Sequence, residues 1–359
     1  MATDPHAGLL AVDLSAIVAN WRLLCERHPQ GEVAAVVKAD AYGLGAAPVA
    51  RALREAGCRT FFVAHLSEGM ALRAALGHGP AIVVLNGFRP GADEDAALWP
   101  ALNGLPDLEA WADSARVHGI RHKVLLHLDT GMSRLGLDSQ EAERLIQDPW
   151  PLVPLDVRYV MTHLACADEP EHPLNAAQAE RFAQLADRLP AARRSFANSS
   201  GIFLGEGFAS DLARPGCALY GINPTPGRPN PMRQAVRLTV PILQVRSIGP
   251  GESVGYAASF VAERPMRVAT IAAGYADGYL RSLSGRGAAM LAGRRLPLIG
   301  RVSMDLVTLD VTDAPEAAPG RHVTLIGDGL TPDDVAAAAG TIGYEILTSL
   351  GARYRRLWH

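Results

Sequence analysis

Between residues 33 and 213 the chain repeats one pattern eight times: a short apolar run, then an alanine-rich stretch with helical spacing. Runs near 33–37, 61–64, 82–85, 99–103, 123–129, 157–163, 194–198 and 211–213 read as strands. Strands that alternate with helices build a parallel sheet, because a parallel connection needs a crossover. Eight such units predict a (β/α)8 barrel over residues 9–228. The fourth run carries Pro100, a residue expected only at a strand end or on an edge.

The string NPTPGRPNPM at 223–232 has four prolines in ten residues and reads as a linker. Beyond it the runs are short, β-branched and broken by glycine, as in RVATIAAGY and HVTLIG. That change predicts a C-terminal, mainly antiparallel β-domain over residues 233–359, with residues 1–13 returning to pair with it. Helices are expected at 331–339 and from 344 toward 353. Arg353, Arg355 and Arg356 then read as cations capping the last helix.

A net charge of -3 and a pI near 6.4 provide no basic field for nucleic acid or anionic lipid. The four cysteines are far apart and form no C-x-x-C pair, so neither a zinc site nor a disulfide framework is indicated. No run reaches eighteen apolar residues and the first residues lack a signal-peptide pattern, so a cytoplasmic location is expected.

The chain has 34 basic side chains, of which only Lys38 and Lys123 are lysines. Arginine keeps its proton, whereas a desolvated lysine can lose it and attack a carbonyl. Lys38 ends an apolar run and is followed by Tyr42, Gly43 and Gly45, a turn that lets backbone approach a ligand. Arg134, His163, the pair Asn198–Ser199, and Arg214 also fall at or just after strand ends. Taken singly, these have ordinary readings: a core histidine, a helix cap, a surface ion pair. A barrel brings the carboxyl ends of its strands to one mouth, so together they outline a site.

The strings AVVKADAYGLGA, LDTGMSRLG, THLACADE, ANSSG, RPGCALYG, GYADGYLRSL, GRVSMD and GYEIL, in this order, resemble the bacterial alanine racemase family over nearly the whole chain. The resemblance implies a pyridoxal 5'-phosphate enzyme that interconverts L- and D-alanine with two bases. Lys38 would hold the cofactor covalently and act as one base. Tyr275, from the partner subunit of a homodimer, would be the other. Tyr42, Ser199, Gly216, Cys217 and Tyr344 match positions around the phosphate, with Asn198 beside them, and backbone N–H groups at 199, 216 and 217 suit an anion. Arg134 and the partner's Met304 match positions near the substrate carboxylate, and Asp305 stands behind Met304. His163 resembles the residue packed beside the ring. Arg214 matches the partner of the pyridine nitrogen, where an arginine disfavours protonation and so disfavours transamination.

The chain departs from the family pattern at His127, where many members carry a carbamylated lysine that orients the substrate-binding arginine. Around 284–287 it offers Arg286 and glycines where some members place a gating tyrosine. A broader racemase acting on serine, a cofactor carrier and a barrel-type decarboxylase share parts of the pattern. Tyr275 and Asp305 argue against a carrier, which needs no second base. Supplying D-alanine for peptidoglycan and consuming it as a nutrient are both compatible with these motifs.

Overall fold

A computed structural model describes residues 7–92, 97–190 and 192–359. Residues 1–6 of the N-terminal segment expected to pair lie outside them. The chain folds into two compact units. Among the described residues, one comprises those of 17–219 and 223–233; the other comprises 7–16, 220–222 and 234–359.

The N-terminal part runs β1 (Leu9–Val12), α1 (Leu14–Arg27), β2 (Glu32–Val33), β3 (Ala35–Val36), α2 (Lys38–Gly43), α3 (Ala46–Ala56), β4 (Thr60–Val63), α4 (Leu66–Leu76), β5 (Ala81–Val84), β6 (Trp99–Leu102), α5 (Leu105–His118), β7 (Lys123–His127), α6 (Ser139–Gln147), β8 (Asp156–Met161), α7 (Pro173–Ala186), β9 (Arg193–Ser195) and β10 (Leu212–Ala213). From β2 to β10 the strands form one sheet in the order β2-β10-β9-β8-β7-β6-β5-β4-β3, all parallel. β2 and β3 are halves of one stave separated at Ala34, whose N–H still donates to Ala213 O at 2.9 Å. The sheet therefore meets itself at this stave, which makes the eight-stave (β/α)8-like barrel expected from the repeat.

Alternation along the staves explains why both faces are apolar. Ala34, Val36, Phe62, Val83, Ala101, Leu125, Tyr159, Met161 and Leu212 pack together inside. Their neighbours Leu102, Val124, Leu126 and Val160 pack outward with Leu108 and Trp111 of α5, Leu145 of α6 and Phe182 of α7. Pro100 does sit in β6, between two neighbouring strands. Pairing to β5 covers Trp99 and Pro100 and pairing to β7 begins at Ala101, so the missing donor falls where β6 changes partner. Asp138 fixes the start of α6 by accepting N–H bonds from Gln140 and Glu141 at 2.9 and 2.8 Å. Such a cap contributes about 1 kcal/mol.

The remaining elements are β11 (Val236–Ile248), β12 (Ser253–Val254), β13 (Phe260–Val261), β14 (Met266–Ile271), β15 (Ala288–Leu291), β16 (Arg294–Ile299), β17 (Val307–Asp310), β18 (His322–Ile326), α8 (Pro332–Ala339), α9 (Gly343–Ser349) and β19 (Arg355–Trp358). The larger sheet runs β14-β17-β16-β15-β18-β11-β1-β19, and β11 also pairs with β14. The first half of the 13-residue β11 bonds to β1 and β18 and its second half to β14, so one long strand closes six strands on themselves. The unit is mainly β, as expected.

Two readings need correction. α9 stops at Ser349, and Arg355 and Arg356 lie on β19, parallel to β1. Only Arg356 keeps something of the capping role, donating to Leu350 O at 3.0 Å and Gly351 O at 3.1 Å. Arg353 instead binds two carboxylates. No helix among the described residues is long and apolar enough to cross a membrane.

Candidate active site

The barrel unit brings Lys38, His127, Arg134, His163 and Arg214 into one electrostatic neighbourhood. His163 is held well below the usual imidazole range, first by burial and then by Arg214, Arg134, Lys38 and His127. Lys38 follows β3 at the carboxyl end of its stave, whereas Lys123 begins β7 and stands 5.6 Å from the Trp99 ring centre. The two lysines thus mark opposite ends of the barrel. Burial, and then the charge of Arg134, lowers the Lys38 pKa, with Glu68 opposing.

Lys38 leads into a left-handed turn. Ala39, Asp40, Ala41 and Tyr42 have φ of 53°, 53°, 54° and 58°. For L-residues this conformation costs roughly 1–2 kcal/mol each. Hydrogen bonds offset it: Ala39 N–H donates to Glu68 Oε1 at 2.7 Å, Ala46 N–H to Asp40 Oδ1 at 2.7 Å, and Ala41 N–H to Val37 O at 2.9 Å. The other Glu68 oxygen accepts Ala64 and His65 N–H at 2.7 and 3.1 Å. The sequence suggested a turn here but located its freedom in glycines. Strain carried by four non-glycine residues leaves no compositional mark, and such strain clusters at functional sites.

The turn buries Tyr42 against Gly216. A Cβ at 216 would lie 2.3 Å from the Tyr42 hydroxyl, so only glycine permits this approach. Burial, followed by the neighbouring Cys217, raises the Tyr42 pKa. Ser199 is buried, and its Oγ accepts N–H bonds from Gly216 at 2.9 Å and Ala218 at 3.3 Å. The Gly216 N–H expected to face a phosphate is therefore engaged. Because both bonds use the lone pairs of Ser199, its hydroxyl hydrogen is left to donate. Asn198 closes the turn that follows it, accepting Gly201 N–H at 2.9 Å and donating to Leu164 O at 3.4 Å.

Arg214 follows β10 and is 4% exposed. It donates to Ser195 Oγ at 2.6 Å, Thr162 O at 2.5 Å and His163 Nδ1 at 3.4 Å. Its Nε–H makes no hydrogen bond among the described residues. Burial lowers its pKa to about 10, so it stays charged at neutral pH.

His127 is buried with Nδ1 2.7 Å from Asn103 Oδ1. The Asn103 amide is oriented by donating to Leu85 O at 3.0 Å and Ala101 O at 3.3 Å. Its oxygen therefore faces the ring, and His127 carries its proton on Nδ1. Burial, then Arg214, lowers the His127 pKa to about 4; Arg134 acts the same way and Asp129 opposes. Asn103 escaped the sequence reading, since nothing beyond its place after a strand marks it. Arg134 is exposed, in a loop shaped by Asp129 Oδ1, which accepts N–H bonds from Gly131, Met132 and Ser133 at 2.9, 3.0 and 3.1 Å.

The other unit carries Tyr275, Met304, Asp305 and Tyr344. Tyr275 is 43% exposed and Met304 53%. Their turns are joined by Tyr275 N–H to Ser303 O and Ala276 N–H to Met304 O, both 3.0 Å. Tyr344 lies on α9 and is partly exposed.

The barrel site fits pyridoxal 5'-phosphate. It offers an amine with a lowered pKa, a guanidinium N–H without an acceptor among the described residues, a hydroxyl hydrogen at Ser199, and a glycine cradle that a Cβ would fill.

Comparison with known proteins agrees. Residues 12–224 match the model for the alanine racemase N-terminal domain and residues 235–358 that for its C-terminal domain. The chain is 56% identical over 353 residues to the alanine racemase of Acidiphilium cryptum, covering 97% of this chain and 98% of that one. It is 49% identical over 360 residues to a catabolic alanine racemase of Agrobacterium fabrum, covering 99% and 93%. Among solved structures it matches the Bartonella henselae alanine racemase with covalently bound pyridoxal phosphate at a TM-score of 0.95 and 41% identity, covering 98% and 99%. The biosynthetic enzyme of Pseudomonas aeruginosa matches at 0.91 and 38%, covering 99% of each chain. With both domain models matched in order and nearly the full length covered, the chain belongs to the alanine racemase family of pyridoxal 5'-phosphate-dependent isomerases.

Proposed function

We propose that the chain interconverts L- and D-alanine with Lys38 and Tyr275 as bases on opposite faces of the substrate, Tyr275 coming from a second copy. The observation that carries this reading is the half-buried Lys38 amine at the carboxyl end of its stave, its pKa lowered by burial and then by the charge of Arg134, against the opposing pull of Glu68. Bound pyridoxal 5'-phosphate withdraws electrons from the amino acid's α-carbon and makes its hydrogen acidic.

Racemisation then needs one base to take the α-proton and another to return one on the opposite face. No atom is gained or lost. A neutral Lys38 amine serves on one side. On the other, Arg214 donates to His163 Nδ1, so neutral His163 carries its proton on Nε2 and can present it to the Tyr275 oxygen, stabilising a phenolate. The charged Arg214, unable to take a proton, would hold the cofactor's ring nitrogen and disfavour its protonation, and with it transamination. Tyr42, Ser199, Gly216 and Cys217 of the barrel unit would hold the phosphate, and Asn198 shapes the turn beside them. Arg134 and Met304 of the second copy would receive the substrate carboxylate, with Asp305 behind Met304. The exposure of Tyr275, Met304 and Leu306 leaves these side chains available to a second copy.

Chiral analysis of L-alanine incubated with the protein and cofactor tests the activity. Approach to an equal mixture of enantiomers, without carbon dioxide release, is the expected result.

A further inference from the structure

We propose that Arg353 is a positioning residue that locks the Tyr275 turn to the Met304–Asp305 turn by bridging Asp277 and Asp305; this rests on the reading of Tyr275 as a base. The arginine lies 76 residues from Asp277 and 48 from Asp305 in sequence. Its Nε donates to Asp277 Oδ1 at 2.6 Å and its Nη1 to Asp305 Oδ1 at 2.8 Å.

The two carboxylates do different work. Asp277 is buried, closing the turn that holds Tyr275. Its Oδ2 accepts Gly274 N–H at 3.0 Å and its backbone carbonyl accepts Gly351 N–H at 2.9 Å. Asp305 is exposed and follows Met304 directly. Backbone bonds from Tyr275 to Ser303 and from Ala276 to Met304 join the turns through the main chain. The planar guanidinium, gripping a carboxylate from each turn, adds a side-chain link between them. Lysine, with one point charge, does not impose the same fixed plane. The Arg353 side chain is 52% exposed, so the bridge adds little to overall stability and its effect is geometric.

The test uses the cofactor-loaded enzyme and two variants that spare the fold. Asp305→Asn cuts only the exposed arm, and Arg353→Lys keeps the charge that faces buried Asp277. In D2O, exchange of the α-hydrogen is followed separately for each enantiomer, because each loses its proton to a different base. Loss of the lock should slow exchange of one enantiomer and racemisation in both directions about tenfold. Exchange of the other enantiomer, served by Lys38, and KM should stay near wild type. Amide hydrogen exchange at Tyr275 and Ala276 should quicken in both variants.

Tyr275→Phe is the reference and should show the same one-sided pattern more strongly. If it slows both enantiomers equally or neither, the reading of Tyr275 as a base fails and takes the lock with it. If Tyr275→Phe is one-sided while the two variants match wild type, or slow both enantiomers alike, the lock alone is wrong.

Discussion

The turns that present Lys38 and Tyr275 are held in contrasting ways. After Lys38, four L-residues occupy the left-handed region, and the side-chain carboxylates of Glu68 and Asp40 hold them there. Around Tyr275 the strained position is a glycine, and the constraint is close approach. A Cβ on Gly274 would lie 2.2 Å from Met304 O, and one on Gly278, at φ 85°, would lie 1.9 Å from Ser349 O. The lysine turn is therefore conformationally strained with exposed residues, Ala39 and Asp40, in its strained stretch, while the tyrosine turn admits no added atom. The first should respond to backbone preference and the second to volume.

The largest expected effect breaks the chemistry on both sides. Lys38→Ala and Tyr275→Ala homodimers should each lose about 10³-fold or more in turnover. Equal amounts allowed to reassort make half the dimers mixed, with one of two sites whole in each, or about a quarter of wild-type activity. Verified mixed dimers that recover nothing would mean that each site draws both bases from one chain.

Gly278→Ala should destabilise the protein by about 3 kcal/mol, combining the left-handed penalty with the clash against Ser349 O. Gly340→Ala is the control, since Gly340 is likewise left-handed, with φ 76° and ψ 38°, but has open space around it, and should cost about 1 kcal/mol. Urea unfolding of both separates volume from conformation. Equal losses would remove the steric side of the contrast.

His127 sharpens the barrel side through pH. Its folded pKa, about 4, lies below the ordinary 6.5. The unfolded chain therefore binds the proton more readily, and stability is lost as pH falls from 6.5 toward 4. At pH 5 the loss is on the order of 2 kcal/mol relative to neutral pH. His127→Gln should show correspondingly less acid destabilisation between pH 7 and pH 5, and an unchanged slope would mean that the ring is not held neutral.

The smallest effect should come from Ala39→Gly. Relief of left-handed strain outweighs the added freedom of the unfolded chain, leaving a gain of roughly 0.5 kcal/mol. Ala39 is exposed, so no buried methyl is lost. A lower thermal midpoint would show that the turn is not strained at this residue.

Much of the barrel was legible because its staves alternate apolar faces and its helices follow at regular intervals, a pattern local enough to read residue by residue. Lys38, Arg134, His163 and Arg214 were legible for a related reason, as each falls at or just after a strand end. The bond between Arg353 and Asp277 was not. With 76 residues between them, nothing local marks the pair, and three arginines near a C-terminus read more simply as a helix cap. The hydrogen bonding of the Gly216 N–H was not legible either, because it depends on where the Ser199 hydroxyl lies.

Periodicity, spacing and motif order by themselves determined the barrel, the β-rich second unit, the family and the candidate residues, since these follow from contacts between near neighbours or from words of sequence. Tertiary structure alone decided the left-handed turn after Lys38, the neutral Nδ1-protonated state of His127 and the partners of Arg353. Each depends on groups that only folding brings within hydrogen-bonding distance. Ala-Asp-Ala-Tyr carries no local preference for positive φ, and a buried imidazole bonded to Asn103 and under the charge of Arg214 and Arg134 acquires its protonation state from neighbours that the linear chain leaves in water.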